Sequence, residues 1–303
     1  MKEPLDGLWQ LTRFPEYASF VVVTTILGAA AARGSFGWPF AGVLAANWLA
    51  VGFAFMLNDV EDAPDDALNP EKVGRNPVSA GRLSARAARA WSMGVAAAAA
   101  GLYALLGWGA FVAGLACLVL GYVYSARPLR LKAVPVADLV SHIFMLAGLQ
   151  FGAAYLALAA ERNAAGGWVL PLLFVLAISL YGQLFNELRD LDGDRAAGVT
   201  HTASLIGARP AQALMLAALV TGVAAGLATV WVERLIPVEV LLAIVGLGVL
   251  LAGRRLVRAR LAASTVELHR PFHKPIEIAA AAVLLVWYAS PRWLPYFPVV
   301  SGP

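Results

Sequence analysis

Residues 38–57 read WPFAGVLAANWLAVGFAFML, and Asn58-Asp59-Val60-Glu61-Asp62-Ala63-Pro64-Asp65-Asp66 follows directly. The first part holds no charge and is long enough to cross roughly 30 Å of hydrocarbon as a helix rising about 1.5 Å per residue. The same junction recurs where the apolar run 168–185 meets Asn186-Glu187-Leu188-Arg189-Asp190-Leu191-Asp192-Gly193-Asp194. Both junctions carry Asn-x3-Asp-x3-Asp, and segments 58–71 and 187–194 together hold ten of the nineteen acidic residues. Carboxylates clustered at the edge of a hydrocarbon layer repel one another, so something cationic belongs among them. A divalent metal is the natural candidate.

The composition agrees with a membrane setting. A chain of 303 residues that is 60% hydrophobic and 14% charged has too little polar surface to cover a soluble globule. Apolar stretches fall at about 16–33, 38–57, 87–107, 108–125, 136–160, 168–185, 211–232, 236–252 and 275–291, which predicts an all-α membrane protein with nine transmembrane helices. Runs such as Gly94-Val-Ala-Ala-Ala-Ala-Ala-Gly101 lack the alternation of β-barrel strands. The first fifteen residues contain neither a signal-peptide core nor a transit-peptide pattern, so the first span is expected to direct insertion. No hydrophilic linker divides the chain, and residues 1–303 are expected to form a single integral-membrane domain.

Nine spans place nineteen of the 23 Lys and Arg on one side, leaving Arg33, Arg162, Arg234 and Arg292 on the other. Basic loops stay cytoplasmic, so the amino terminus and both acidic motifs are expected on the cytoplasmic face, in the plasma membrane. The isoelectric point near 9.4 is explained by these loops. Without interleaved aromatics they suit lipid headgroups or a phosphorylated substrate and not nucleic acid. Cys117, alone in an apolar span, excludes an intramolecular disulfide and a multi-cysteine metal site. Residues 253–274 read either as topological charge or as a basic helix at the headgroups.

The long loops, about 58–86 and 186–210, carry the motifs. Because the motif follows span 2 and again span 6, the chain reads as two pseudo-repeated halves with span 9 left over, and such repeats place the active centre between them. On a helix, Asn58, Asp62 and Asp66 share a face, as do Asn186, Asp190 and Asp194. Mg²⁺ takes oxygen ligands in near-octahedral geometry, commonly one or two carboxylates with water and substrate phosphate, so two facing ladders suit Mg²⁺ ions sharing one diphosphate. Pro64 predicts that span 2 ends near Asp62, with Asp66 approaching from a loop or new turn. Gly193 weakens the second ladder. Arg75, Arg127, Arg130, Lys132 and Arg195 supply phosphate-binding cations near the motifs.

At these residues the chain is similar to the UbiA superfamily of intramembrane prenyltransferases. That family carries NDxxDxxxD after its second helix and DxxxDxxxG after its sixth, which read here as Asn58-Asp59-x2-Asp62-x3-Asp66 and Asp190-x3-Asp194-x3-Gly198. Tyr124-Ser125 and Pro128-Leu-Arg-Leu-Lys132 extend the likeness. The resemblance implies a bundle like the isoprenoid-synthase fold and a Mg²⁺-bound polyprenyl diphosphate whose tail lies in a lipid-open tunnel. An allylic carbocation would then be attacked by an acceptor nucleophile, with loss of diphosphate and a proton. It assigns metal binding and catalysis to Asp62, Asp66, Asp190 and Asp194, and diphosphate contacts to Asn58, Arg75, Arg130, Lys132, Arg195, Tyr124 and Asn186.

Two departures stand out. Arg75-Asn76-Pro77 replaces the family's Arg-Pro, and its Tyr-x3-Lys signature is displaced, leaving Arg127, Arg130 and Lys132 as competing equivalents. Tyr122, Tyr124, Tyr181 and Phe185 read as cation-stabilising faces or as interfacial anchors. Asp138 and His142 read as a buried pair or as acceptor contacts, with His142 excluded from metal ligation. A membrane terpene cyclase would use the same ionisation without an acceptor. A transporter would need midplane polar residues that spans 3, 4, 7 and 8 almost lack. Acceptor, donor length and oligomeric state stay open.

Overall fold

In hydrocarbon a backbone must close its hydrogen bonds internally, and long apolar runs therefore fold as helices. The computed structural model describes residues 2–68, 70–159, 167–196, 198–256 and 265–290, and among them the chain is helical with no strand. In order come α1 (Lys2–Thr12), α2 (Phe14–Ala31), α3 (Trp38–Asp66), α4 (Pro70–Val73), α5 (Ala85–Leu105) and α6 (Trp108–Ser125). There follow a 3-10 turn (Leu131–Ala133), α7 (Ala137–Ile143), a π turn (Phe144–Gly148), α8 (Leu149–Leu158) and α9 (Val169–Ala196). The last are α10 (Thr202–Ile206), α11 (Ala208–Trp231), α12 (Val238–Leu256) and α13 (Thr265–Ala289). Residues 257–264, in the middle of the basic segment 253–274, lie outside the described residues.

Six helices are long and apolar enough to cross a membrane: Phe14–Ala31, Trp38–Asp66, Trp108–Ser125, Ala137–Leu158, Val169–Arg195 and Ala208–Trp231. They coincide with six of the expected spans. The other three expected spans fall on α5, α12 and α13; α5 is rich in alanine and carries Arg86 and Arg89 in its first turns. Trp38, Trp108, Trp168 and Trp231 are exposed at or beside helix ends remote from the acidic motifs, as side chains of an interfacial belt are. α3 packs on α5 as α9 packs on α11, so each motif helix pairs with the helix of the next expected span.

Local chemistry sets the junctions. Ser84 caps α5 by accepting from Ala87 N at 3.2 Å. Gly107, at φ 109°, makes the two-residue turn between α5 and α6 in a backbone region that disfavours side chains. At Gly28 a Cβ would collide with the Phe151 carbonyl oxygen, so glycine lets α2 meet the backbone of α8 directly.

One expectation about helix continuity is corrected and two others are refined. α3 does not end near Asp62 but runs through Pro64 to Asp66. Proline removes a donor from the last turn, and outside groups brace the helix around it: Asn76 Nδ2 donates to Asp59 O at 2.7 Å and Ser79 Oγ to Ala63 O at 2.9 Å. Gly193 likewise lies inside α9. The span expected at 136–160 is not one regular helix, since the π turn at Phe144–Gly148 interrupts it. The Met145 carbonyl in that turn accepts from Gln150 Nε2 at 3.1 Å and from Cys117 Sγ at 3.2 Å, which gives Cys117 a bonding role besides packing.

A buried polar node holds the centre of the bundle. Asn47 Nδ2 donates to Thr25 Oγ1 at 2.8 Å and to Gln150 O at 3.2 Å, while its Oδ1 accepts from Tyr103 at 2.6 Å. The side chains of Asn47, Thr25 and Tyr103 are fully buried, so α2, α3, α5 and α8 are joined without water. Interhelical hydrogen bonds in membranes contribute about 0.6–1.7 kcal/mol each. Asn47→Leu is therefore expected to destabilise the detergent-solubilised protein by about 1–3 kcal/mol, and Tyr103→Phe by less. Unchanged melting in both variants would contradict this role.

Candidate active site

Continuity through Pro64 puts Asn58, Asp62 and Asp66 on one helix, where Asn58 Nδ2 donates to Asp62 Oδ2 at 3.1 Å. Cations from the segment after α6 meet them. Lys132 Nζ lies 2.8 Å from Asn58 Oδ1 and 2.5 Å from Asp62 Oδ1, and Arg130 Nη2 reaches Asp62 Oδ1 at 2.8 Å and Asp65 Oδ2 at 2.9 Å. Arg127 reaches exposed Asp65, at 3.4 Å. The three competing cations are thereby separated: Lys132 and Arg130 sit on the motif and Arg127 at its rim. Burial lowers the pKa of Lys132, and Asp62 only partly offsets this. Burial also acts on Arg130, but contacts with Asp65 and Asp62 outweigh it and raise its pKa. At the end of the row, Asp66 Oδ2 accepts from Asn76 Nδ2 at 2.9 Å.

The second row shares a cation with the first. Lys72, at the end of α4, lies 3.4 Å from Asp194 Oδ1. Burial acts against its charge, but Asp194 and Asp190 together with Asp66 raise its pKa, so one ammonium feels both motifs. Asp190 is held by its neighbour Arg189 through a forked pair at 2.8 and 2.7 Å.

Beneath the second row, His201 stands between two carboxylates, with Nδ1 3.2 Å from Glu187 Oε2 and Nε2 3.4 Å from Asp194 Oδ2. Burial would lower its pKa, but these carboxylates outweigh it and raise it to about 9. Glu187 also accepts from Gln183 at 2.9 Å and from Ala203 N at 3.0 Å. Asp138, Glu187 and His201 bring ligand atoms within 4.8 Å of one another. The Asp138 oxygens, however, already accept from Thr202 N, Thr202 Oγ1 and Leu139 N. The trio is a latch that fastens α10 beneath α9.

Other expected site residues are placed differently. Arg75 does not reach a motif carboxylate; it pairs with Glu16 at 3.0 Å, and Glu16 in turn meets Arg13, which lies 3.3 Å from Asp59. Asn186 and Arg195 are exposed and have no side-chain hydrogen bond or ion pair among the described residues. Tyr124 points inward, accepting from Gln183 at 3.4 Å, whereas Tyr122 is exposed and Phe185 is buried with Leu139, Leu184 and Met215. Asp138 and His142 are not a pair, because Asp138 bonds Thr202 and His142 faces Ser179. Sequence reasoning missed Lys72, Arg189, Glu187 and His201 as members of the site. Glu187 and Arg189 lie within the motif itself, but nothing local marks His201.

Fold and cleft together define an integral membrane helical bundle that gathers two aspartate-bearing helix ends and their cations at one end. The model of the UbiA prenyltransferase family matches residues 21–269, and the chain belongs to that family. It is 32% identical over 172 residues to digeranylgeranylglyceryl phosphate synthase of Methanopyrus kandleri, covering 56% of this chain and 58% of that one. It is also 32% identical over 200 residues to lycopene elongase/hydratase of Haloarcula japonica, covering 64% of each. The chain thus spans about three fifths of the length of these relatives. The structure of a UbiA homolog from Archaeoglobus fulgidus bound to GPP and Mg2+ superposes with a TM-score of 0.68 at 19% identity, covering 93% of this chain and 99% of that one, a likeness of fold.

The Lys72–Asp194 bridge is partly exposed, so its strength is screened by solvent. A double-mutant cycle with Lys72→Met and Asp194→Asn, read by thermal melting at low salt, is expected to give a coupling of about 0.2–1 kcal/mol. The coupling should shrink in molar salt. No coupling at low salt would contradict the bridge.

Proposed function

We propose that the protein transfers a prenyl chain from a polyprenyl diphosphate to an acceptor nucleophile, with release of diphosphate. The observation that carries this reading is the cleft in which Lys72 meets Asp194 and feels Asp66 and Asp190, while Arg130 and Lys132 sit on Asp62. Family membership supports it, as do relatives named for prenyl-lipid and carotenoid chemistry and neighbours whose structures hold GPP or DMAPP with Mg2+. On this reading residues 1–303 form one domain of nine spans in the plasma membrane, with the cleft on the cytoplasmic side.

The donor set suits magnesium. Asp62, Asp66, Asp190 and Asp194 offer hard carboxylate oxygens, with no thiolate among them, and these four would hold the ion. Bound there, Mg²⁺ would neutralise charge on the leaving diphosphate. The chain's own groups do the rest. Lys132, Arg130 and Lys72 are held by carboxylates that the metal would engage, which frees their N–H groups for diphosphate oxygens. Asn58 orients Lys132, and Asn186 and Arg195, exposed at the helix end, complete the headgroup site. Arg75 would reach the diphosphate on exchanging Glu16 for a phosphate oxygen. Apolar helix faces below the cleft exclude water from the allylic cation, and the Tyr124 ring offers it a π face.

Purified protein in lipid vesicles, given labelled prenyl diphosphates and an acceptor panel, tests this. Asp62→Ala and Asp190→Ala are each expected to lower product formation by about 10²-fold or more, and chelation of divalent metal should abolish it reversibly. Wild-type turnover in either variant would refute the assignment.

A further inference from the structure

The donor site leaves His142 unused. An imidazole within a membrane-crossing segment is costly to keep and tends to mark function. The partner that spacing suggests for it, Asp138, is saturated by Thr202 and Leu139. The contact that His142 makes is between Nδ1 and Ser179 Oγ, at 3.4 Å, and Nε2 has no hydrogen bond among the described residues. The other described imidazoles both face carboxylates: His201 lies between Glu187 and Asp194, and His273 stands 3.4 Å from Glu277. An imidazole in direct contact with carboxylates holds its proton; His142 contacts a hydroxyl instead, with the Glu187 charge acting on it only through space, and is available as a base.

Position adds to chemistry. The His142 and Tyr124 rings lie 6.3 Å apart. Ser125, next to Tyr124, lies 3.3 Å from Asn58 of the first motif, and Gln183 joins Tyr124 to Glu187 below the second. His142 therefore neighbours Tyr124, which the contacts of Ser125 with Asn58 and of Gln183 with Glu187 tie to both motifs. Immediately after it the helix changes to the π turn Phe144–Gly148, an irregularity frequent at functional sites.

We infer that His142 is the base that takes the acceptor's proton, its Nδ1–H held by Ser179 Oγ and its Nε2 turned to the acceptor. The inference rests on the prenyl-transfer reading. The donor C1–O bond breaks and its electron pair leaves with diphosphate. An electron pair of the acceptor forms the new bond to C1, and the proton on the attacking carbon or oxygen passes to Nε2. The imidazolium returns that proton to water as product leaves. The acceptor is thereby a nucleophile that carries a removable proton, such as a phenolic ring or an alcohol.

The test uses full-length protein in vesicles, geranyl diphosphate with Mg²⁺ as donor, and whichever of a hydroxybenzoate, a hydroquinone or a glycerol-phosphate ether lipid the wild type prenylates. His142→Gln and His142→Ala are expected to bind labelled donor within about threefold of wild type while transfer falls about 10²-fold. Added imidazole should restore part of the rate in His142→Ala. Wild-type transfer in either variant overturns the inference. So does loss of donor binding in step with loss of transfer, or a loss that imidazole does not restore. Failure of the wild type to release diphosphate would instead sink the prenyl-transfer reading itself.

Discussion

Like charges at the ends of two apolar helices are the constraint around which this protein is arranged. Two bare carboxylates about 6 Å apart at an effective dielectric of about 20 repel by roughly 3 kcal/mol, so rows of them stand only where cations are built in between. Arg130 and Lys132 reach Asp62 from the segment after α6, Lys72 reaches Asp194 from α4, Arg189 forks onto Asp190, and Arg13 meets Asp59. The segments after α3 and α6 thereby have a reason for their paths. On the proposed function the same cations would meet the diphosphate, so that stabilising the resting site and binding an anionic, metal-carrying substrate would draw on one set of side chains.

Below the cleft the problem is reversed, because polar groups must be satisfied without water. Asn47 does this by joining Thr25, Gln150 and Tyr103 across four helices. The π turn does it through its Met145 carbonyl, which accepts from Gln150 and Cys117. These bonds fix α3 and α8 relative to α2 and so set the height at which the aspartates emerge.

Most of the helical layout was legible because hydrocarbon admits one local solution: apolar runs such as 38–57 and 211–232 became helices where they were expected. Both acidic motifs were legible for the same reason, since carboxylates interrupting such runs are rare. What could not be read was chemistry supplied from far along the chain. Pro64 argues locally for a helix end, and only Asn76 and Ser79, bonding to the carbonyls of Asp59 and Ala63, overrule it. Asp138 and His142 have the spacing of a pair, yet Thr202 and Ser179 claim them separately. His201 carries no local signal, for its partners are Glu187 and Asp194 on another helix.

The central claim is that one headgroup touches both rows. The most direct measurement is a structure of the protein in lipid with Mn²⁺ in place of Mg²⁺ and a non-hydrolysable thiolodiphosphate donor, with the metal located by its anomalous signal. Metal is predicted within about 2.0–2.2 Å of carboxylate oxygens from Asp62 or Asp66 and from Asp190 or Asp194, around a single diphosphate. A diphosphate held by one row alone, with the other still paired to its own cations, would contradict it.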